Sequence, residues 1–66
     1  MEINLNGEKR TLEAAKTIAD LVAALRLPAP ALLVEHNGTA LRRSEWDASS
    51  LRDGDCVEII RIVAGG

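Results

Sequence analysis

The sequence predicts an α+β domain in which one helix packs on a mixed sheet of about five strands. Apolar and polar residues alternate at the start of the chain, helical spacing follows, and two Asn-Gly dipeptides separate short strand-like segments. The 66 residues allow one small domain, so 1–66 is predicted to be a single unit. A lone helix buries its apolar side against one face of the sheet, which gives two layers.

The first element is a predicted hairpin. Apolar and polar residues alternate over 1–5, a period of two that is typical of a half-buried strand. Asn6 and Gly7 supply the two positive-φ residues of a type I′ turn. The chain is therefore expected to return antiparallel over 8–12.

A helix of about three turns is predicted next. Thr17 is a suitable N-cap, and Asp20, three residues later, completes a capping box. Pro28 is expected to stop the helix near Leu27. Four apolar residues share one side of this helix: Ile18, Leu21, Val22 and Leu25.

The second half of the chain repeats the hairpin pattern and ends in an apolar strand. Segments 32–36 and 39–42 flank the second Asn-Gly turn, and Ser44 is expected to open a capped single turn. Trp46 in that turn is expected to cover one end of the core. The last strand, 57–63, is apolar on both faces and should lie in the middle of the sheet, parallel to the first. That arrangement is the β-grasp.

Composition and charge exclude several classes of function. Ten acidic against eight basic residues give a net charge of −2, and Trp46 is the sole aromatic residue, so nucleic-acid binding is not expected. One cysteine, Cys56, can form neither an internal disulfide nor, within this chain alone, a zinc knuckle or an iron–sulfur cluster, and no bound metal or cofactor is expected. The sequence shows no signal peptide and no membrane-spanning stretch, so a cytoplasmic protein without membrane contact is predicted.

The sequence offers no convincing active site. His36 is the only histidine, and we expect a half-buried strand residue with one hydrogen-bonded ring nitrogen. A nucleophilic pair of Cys56 and His36 is conceivable but lacks an orienting third group. Cys56 alone could carry a persulfide, although an inert small residue is the preferred interpretation.

The end of the sequence suggests a different kind of chemistry. Ala64 is followed by Gly65 and Gly66. A frayed terminus would explain these residues, but a flexible tail without side chains could also enter a narrow channel of another protein. The carboxylate of Gly66 would then be a substrate, and a partner would activate it with ATP.

Several short motifs are spread along the chain: Val34-Glu35, Asn37-Gly38, Arg43-Ser44-Glu45-Trp46, Asp53-Gly54-Asp55 and Ala64-Gly65-Gly66. With these motifs, the sequence as a whole resembles the ubiquitin-like sulfur carriers, and most of all the ThiS family of thiamine biosynthesis. His36 departs from the pattern, since the family usually has an aliphatic residue there.

The resemblance implies a carrier rather than an enzyme. An adenylating enzyme of the ubiquitin-activating (ThiF) type would adenylate Gly66, and sulfur from a sulfur donor enzyme would displace AMP. The resulting C-terminal thiocarboxylate would deliver sulfur to thiazole synthase of the ThiG type, which forms the thiazole ring. Ala64 and Gly65 would form the slim tail.

The last strand also suggests a docking surface. If Val57 and Ile59 face the helix, Ile60 and Ile62 lie on the open face beside the tail. We hypothesise that these two isoleucines form a partner-binding patch for the activating enzyme. The alternative is that neighbouring strands or loops cover them.

Three other functions remain open at this point. The small subunit of molybdopterin synthase shares the fold and the tail chemistry, although such proteins tend to be longer and richer in Phe. A ubiquitin-like protein modifier would join Gly66 to lysine through an isopeptide bond. A regulatory or RNA-binding β-grasp module would need no free carboxyl end.

Overall fold

The computed structural model describes residues 1–62 of the chain. These residues form one sheet, one α-helix and two short 3-10 segments. The elements are β1 (Glu2–Leu5), β2 (Glu8–Thr11), α1 (Ile18–Leu25), β3 (Leu32–His36), β4 (Thr39–Leu41) and β5 (Cys56–Arg61), with the 3-10 segments at Ala29–Ala31 and Arg43–Ala48.

The sheet has the order β2-β1-β5-β3-β4, with β5 at its centre. The strand β5 runs parallel to β1 and antiparallel to β3, while both hairpins are antiparallel. The predicted mixed sheet of five strands with one helix is confirmed. The predicted central strand, 57–63, is found at Cys56–Arg61, and Val63 lies outside the described residues.

Both Asn-Gly dipeptides form the predicted turns. Asn6 and Gly7 have φ angles of 51° and 82°, and Asn37 and Gly38 have φ angles of 50° and 85°. Two consecutive positive φ values match the right-handed twist of the flanking strands, which sets the register of each hairpin.

The helix begins at the predicted capping box. The Asp20 N–H donates to the Thr17 hydroxyl at 3.2 Å, and the Thr17 N–H donates to an Asp20 carboxylate oxygen at 3.1 Å. The Lys16 N–H donates to the same oxygen at 2.9 Å. These backbone donors, first that of Lys16 and then that of Thr17, hold the pKa of Asp20 below its usual range.

The helix ends earlier than predicted. Leu25 is its last residue, not Leu27, because Arg26 adopts the left-handed conformation with a φ of 56°. The Arg26 N–H donates to the Ala23 carbonyl, which closes the final turn before Pro28 is reached.

The turn around Trp46 starts one residue before its predicted start. We expected Ser44 to open it, but the segment Arg43–Ala48 is preceded by Arg42, whose N–H donates to the Glu45 carboxylate at 2.7 Å. Glu45 thus fixes the start of the turn by reaching back to the backbone. Trp46 is buried, with 5% of its surface exposed.

The core lies between α1 and one face of the sheet. Leu51 anchors the long loop before β5, and its N–H donates to the Lys16 carbonyl beside the helix start. The buried core side chains are Ile3, Leu5, Ile18, Leu21, Val22, Leu32, Val34, Trp46, Leu51, Val57 and Ile59.

Within residues 1–62, no helix is long and apolar enough to cross a membrane.

Candidate functional site

The strand β5 is the element that leads to the predicted reactive tail. Val57 and Ile59 point toward the helix and are buried, so Ile60 points to the opposite, open face of the sheet. The structure describes the chain as far as Ile62, so the predicted site residues 64–66 lie outside the described residues.

Three aliphatic side chains lie exposed on the open face near the end of β5. Leu33 is 54% exposed, Ile60 55% and Ile62 49%. Leu33 and Ile60 are direct partners across β3 and β5, and the Ile62 N–H continues the pairing by donating to the Ala31 carbonyl at 2.6 Å. We call Leu33, Ile60 and Ile62 the open-face patch.

Leu33 was missed in the sequence analysis, although the sequence contained a signal for it. Leu32 and Val34 are both buried toward the helix, and a residue between two inward-facing strand positions points outward. Together with Ile60 and Ile62, Leu33 forms a contiguous exposed apolar surface, which is the kind of feature that marks a binding site.

Two carboxylates lie beside this patch on the same face. Glu35 and Glu58 are direct partners in the antiparallel pair of β3 and β5. They follow Leu33 and precede Ile60 by two positions, so the apolar pair and the acidic pair are adjacent.

Asn6, at the turn of the first hairpin, forms two side-chain hydrogen bonds to the centre of β5. Its Oδ1 accepts from the Ile59 N–H at 2.8 Å, and its Nδ2 donates to the Ile59 carbonyl at 3.2 Å. The side-chain amide thereby extends the pairing of β1 past its last residue, Leu5. These two bonds fix the backbone of Ile59, the residue next to Ile60 of the open-face patch.

His36 binds a carboxylate at the opposite end of β5. Its Nε2 lies 2.7 Å from Oδ2 of Asp55, and both side chains are largely buried. Burial alone would raise the pKa of Asp55, but hydrogen bonds from His36, the Arg52 N–H and Asn37 outweigh it and hold the pKa below its ordinary value. The expected half-buried histidine with a hydrogen-bonded nitrogen is confirmed.

The structure excludes the conceivable pair of Cys56 and His36. His36 is the direct partner of Val57 across β3 and β5, so it lies on the helix side of the sheet. Cys56 precedes Val57 and therefore lies on the other face, where it is exposed. Among residues 1–62, no group of three or more His, Cys, Asp or Glu side chains could hold a metal ion.

Known proteins of similar sequence and structure share this architecture. A crystal structure of the thiamine biosynthesis protein ThiS from Geobacter metallireducens is 35% identical, with a TM-score of 0.84, and the match covers all of both chains. An NMR structure of a thiamine biosynthesis protein from the same organism is 35% identical, with a TM-score of 0.81 over all of this chain and 88% of the other.

Two curated relatives are longer proteins. A thiazole synthase from Magnetococcus marinus is 32% identical to this chain over 66 residues, and one from Paramagnetospirillum magneticum is 30% identical. Both matches cover this whole chain, which spans 20% of the length of each relative. The profile of the ThiS family matches residues 3–66. The chain belongs to the ThiS family.

Proposed function

We propose that this chain is a sulfur carrier of thiamine biosynthesis and that its reactive group is the carboxylate of Gly66. The observation that carries the proposal is the match to the ThiS family, which runs through residue 66 and so includes Ala64, Gly65 and Gly66. The ThiS structure that covers the full length of both chains supports the same role.

The proposed chemistry has two steps at the carbonyl carbon of Gly66. A carboxylate is a poor acyl donor, so an adenylating enzyme of the ThiF type first joins its oxygen to the α-phosphorus of ATP, and pyrophosphate leaves. Hydrosulfide, HS−, supplied by the sulfur donor enzyme then attacks the carbonyl carbon. The C–S bond forms, the C–O bond to AMP breaks, and a thiocarboxylate is left on the tail.

The receiving partner in this proposal is thiazole synthase of the ThiG type. Two relatives that match this chain over its whole length are named thiazole synthase, and in each the matching part is one fifth of the protein. A carrier-like segment within a thiazole synthase chain supports a functional link between the two. The proposal includes a cytoplasmic location, which suits a chain with a single cysteine.

The open-face patch is the proposed binding surface for the activating enzyme. Ile60 lies on β5 and Ile62 directly follows that strand, and Leu33 is paired with Ile60. These aliphatic side chains are about half exposed, so their removal from water by a partner would favour binding. Docking at this position would place the tail beside the partner's active site.

Intact mass spectrometry tests the carrier function. After incubation with the activating enzyme, ATP and a sulfur donor, we expect the mass increase that corresponds to replacement of one oxygen by sulfur. A chain that lacks Gly66 should show no increase. An unchanged mass of the full chain, under conditions in which a known ThiS protein is converted, contradicts the proposal.

The patch is tested separately with Ile60→Asp. The aspartate lies on the exposed face, so the domain should still fold, while adenylation should slow because the partner would have to bury a charge. Ala14→Asp, a change at an exposed position outside the patch, controls for added charge. Normal adenylation of folded Ile60→Asp would exclude the patch and leave the carrier function intact.

A further inference from the structure

Glu35 and Glu58 form a like-charge pair in the middle of the sheet. They are direct partners in the antiparallel register of β3 and β5. Side chains in such positions start about 5 Å apart, and like charges placed there destabilise a sheet. Glu35 is also half-buried, which weakens the screening of its charge by water.

Neither glutamate takes part in an ion pair within the described part of the chain. The ion pairs within residues 1–62 are Lys9 with Glu2 and His36 with Asp55. On its other side Glu35 faces Ala40 of β4, which carries no charge. The register therefore places two like charges opposite each other with no ion pair to offset them.

The acidic pair adjoins the open-face patch. Along β3, Leu33 is followed two positions later by Glu35, and along β5, Glu58 is followed two positions later by Ile60. The four side chains form a compact block on one face, with an aliphatic row beside an acidic row. A surface of this kind complements a partner that presents an aliphatic contact next to a positive charge.

We infer that the acidic pair receives an arginine side chain of the activating enzyme, beside the aliphatic contacts that cover the open-face patch. This inference rests on the proposed function and specifies the chemistry of the docking partner. A planar guanidinium has donors on several edges and can bond both carboxylates at once, which a single ammonium group does less well. The bound arginine would relieve the repulsion between Glu35 and Glu58.

The inference predicts opposite effects on folding and on binding. Glu35→Gln/Glu58→Gln removes the repulsion, so the free domain should unfold at a higher urea concentration than the parent. The same variant loses the charge that attracts the partner, so its complex with the activating enzyme should weaken about tenfold or more. A purely structural role of the two glutamates would not give this combination.

The experiment measures urea unfolding of the free carrier and its dissociation constant with the activating enzyme at several salt concentrations. The matched control is Glu8→Gln/Glu13→Gln, which removes the same charge from exposed positions away from the open face. The parent complex should weaken with added salt, the control should behave like the parent, and the Glu35/Glu58 variant should show a flatter salt dependence.

Either of two results overturns the inference. One is a Glu35/Glu58 variant that binds as tightly as the control, and the other is weaker binding accompanied by lower stability of the free domain. Neither touches the proposed function if the parent chain still acquires sulfur. Failure of the parent itself to be converted would count against the proposed function instead.

Discussion

His36 and Asp55 are joined at the point where β3 ends and β5 begins. The Nε2 of His36 lies 2.7 Å from Oδ2 of Asp55. Because the pKa of Asp55 is held below its ordinary value, the carboxyl is ionised at neutral pH and can only accept, so the histidine nitrogen is the donor. Asn37 and the Arg52 N–H donate to the same carboxylate.

This contact predicts an acid-sensitive part of the stability. Since the pKa of Asp55 is lower in the folded chain than its ordinary 3.8, the carboxylate contributes stability that is complete above that pH and is lost as pH falls through the folded value. At pH 7, Asp55→Asn should lower the free energy of unfolding by about 1–3 kcal/mol. The difference from the parent should shrink below pH 4 in urea titrations.

Asp47 provides the control for this titration. It is exposed in the Arg43–Ala48 segment, so Asp47→Asn should change the free energy of unfolding by less than about 0.5 kcal/mol. If the difference in free energy of unfolding between Asp55→Asn and the parent stays constant from pH 7 to pH 3, the charge of Asp55 does not contribute to stability.

A second prediction concerns the two bonds that Asn6 makes to Ile59. Asn6→Gly tolerates the positive φ of this position but leaves the Ile59 N–H and carbonyl without their partners. We expect a loss of about 1–3 kcal/mol and much faster hydrogen exchange of the Ile59 amide. Asn6→Asp keeps the acceptor for that amide and should protect it better, and equal exchange in all three proteins would contradict the role of Asn6.

A third prediction concerns the left-handed residue that ends the helix. The φ of 56° costs Arg26 roughly 1–2 kcal/mol, which a glycine avoids at an entropic cost of about 0.5–1 kcal/mol. Arg26→Gly should therefore raise the free energy of unfolding by about 0.5–1 kcal/mol. Ala24→Gly within the same helix should lower it by about 1 kcal/mol, and a loss in both variants would contradict the explanation.

A fourth prediction follows from the proposed passage of the tail through a narrow channel. Gly65→Val adds a branched side chain next to the reacting carboxylate, so kcat/KM for adenylation should fall about 100-fold as the carbonyl is displaced. Ala64→Gly keeps the tail slim and should be adenylated normally. Equal urea midpoints for the variants and the parent would confine the effect to the tail, whereas normal adenylation of Gly65→Val would rule out a narrow channel.

The elements that the sequence predicted well are those with local causes. Both hairpins follow from Asn-Gly turns, and the start of the helix follows from Thr17 and Asp20, which are three residues apart. The place of β5 at the sheet centre followed from its apolar character on both faces. Each of these signals lies within the segment that it shapes.

The contacts that sequence reasoning missed join residues far apart in the chain. Asn6 and Ile59 are separated by 53 positions, and nothing near Asn6 indicates more than a turn residue. Glu35 and Glu58 lie opposite each other because of the register between β3 and β5. A shift of that register by one residue would have given both glutamates other partners. The helix end was placed too late because a left-handed arginine has no strong sequence signal.

The central position of β5 has a mechanical consequence. In the proposed carrier role, a partner binds the residues that follow Ile62, and any pull along the axis of β5 loads that strand. Because β5 is bonded to β1 on one side and to β3 on the other, a force along the strand loads two rows of hydrogen bonds in shear together, whereas an edge strand would be held by one row. The domain is thus built to resist traction applied at its tail.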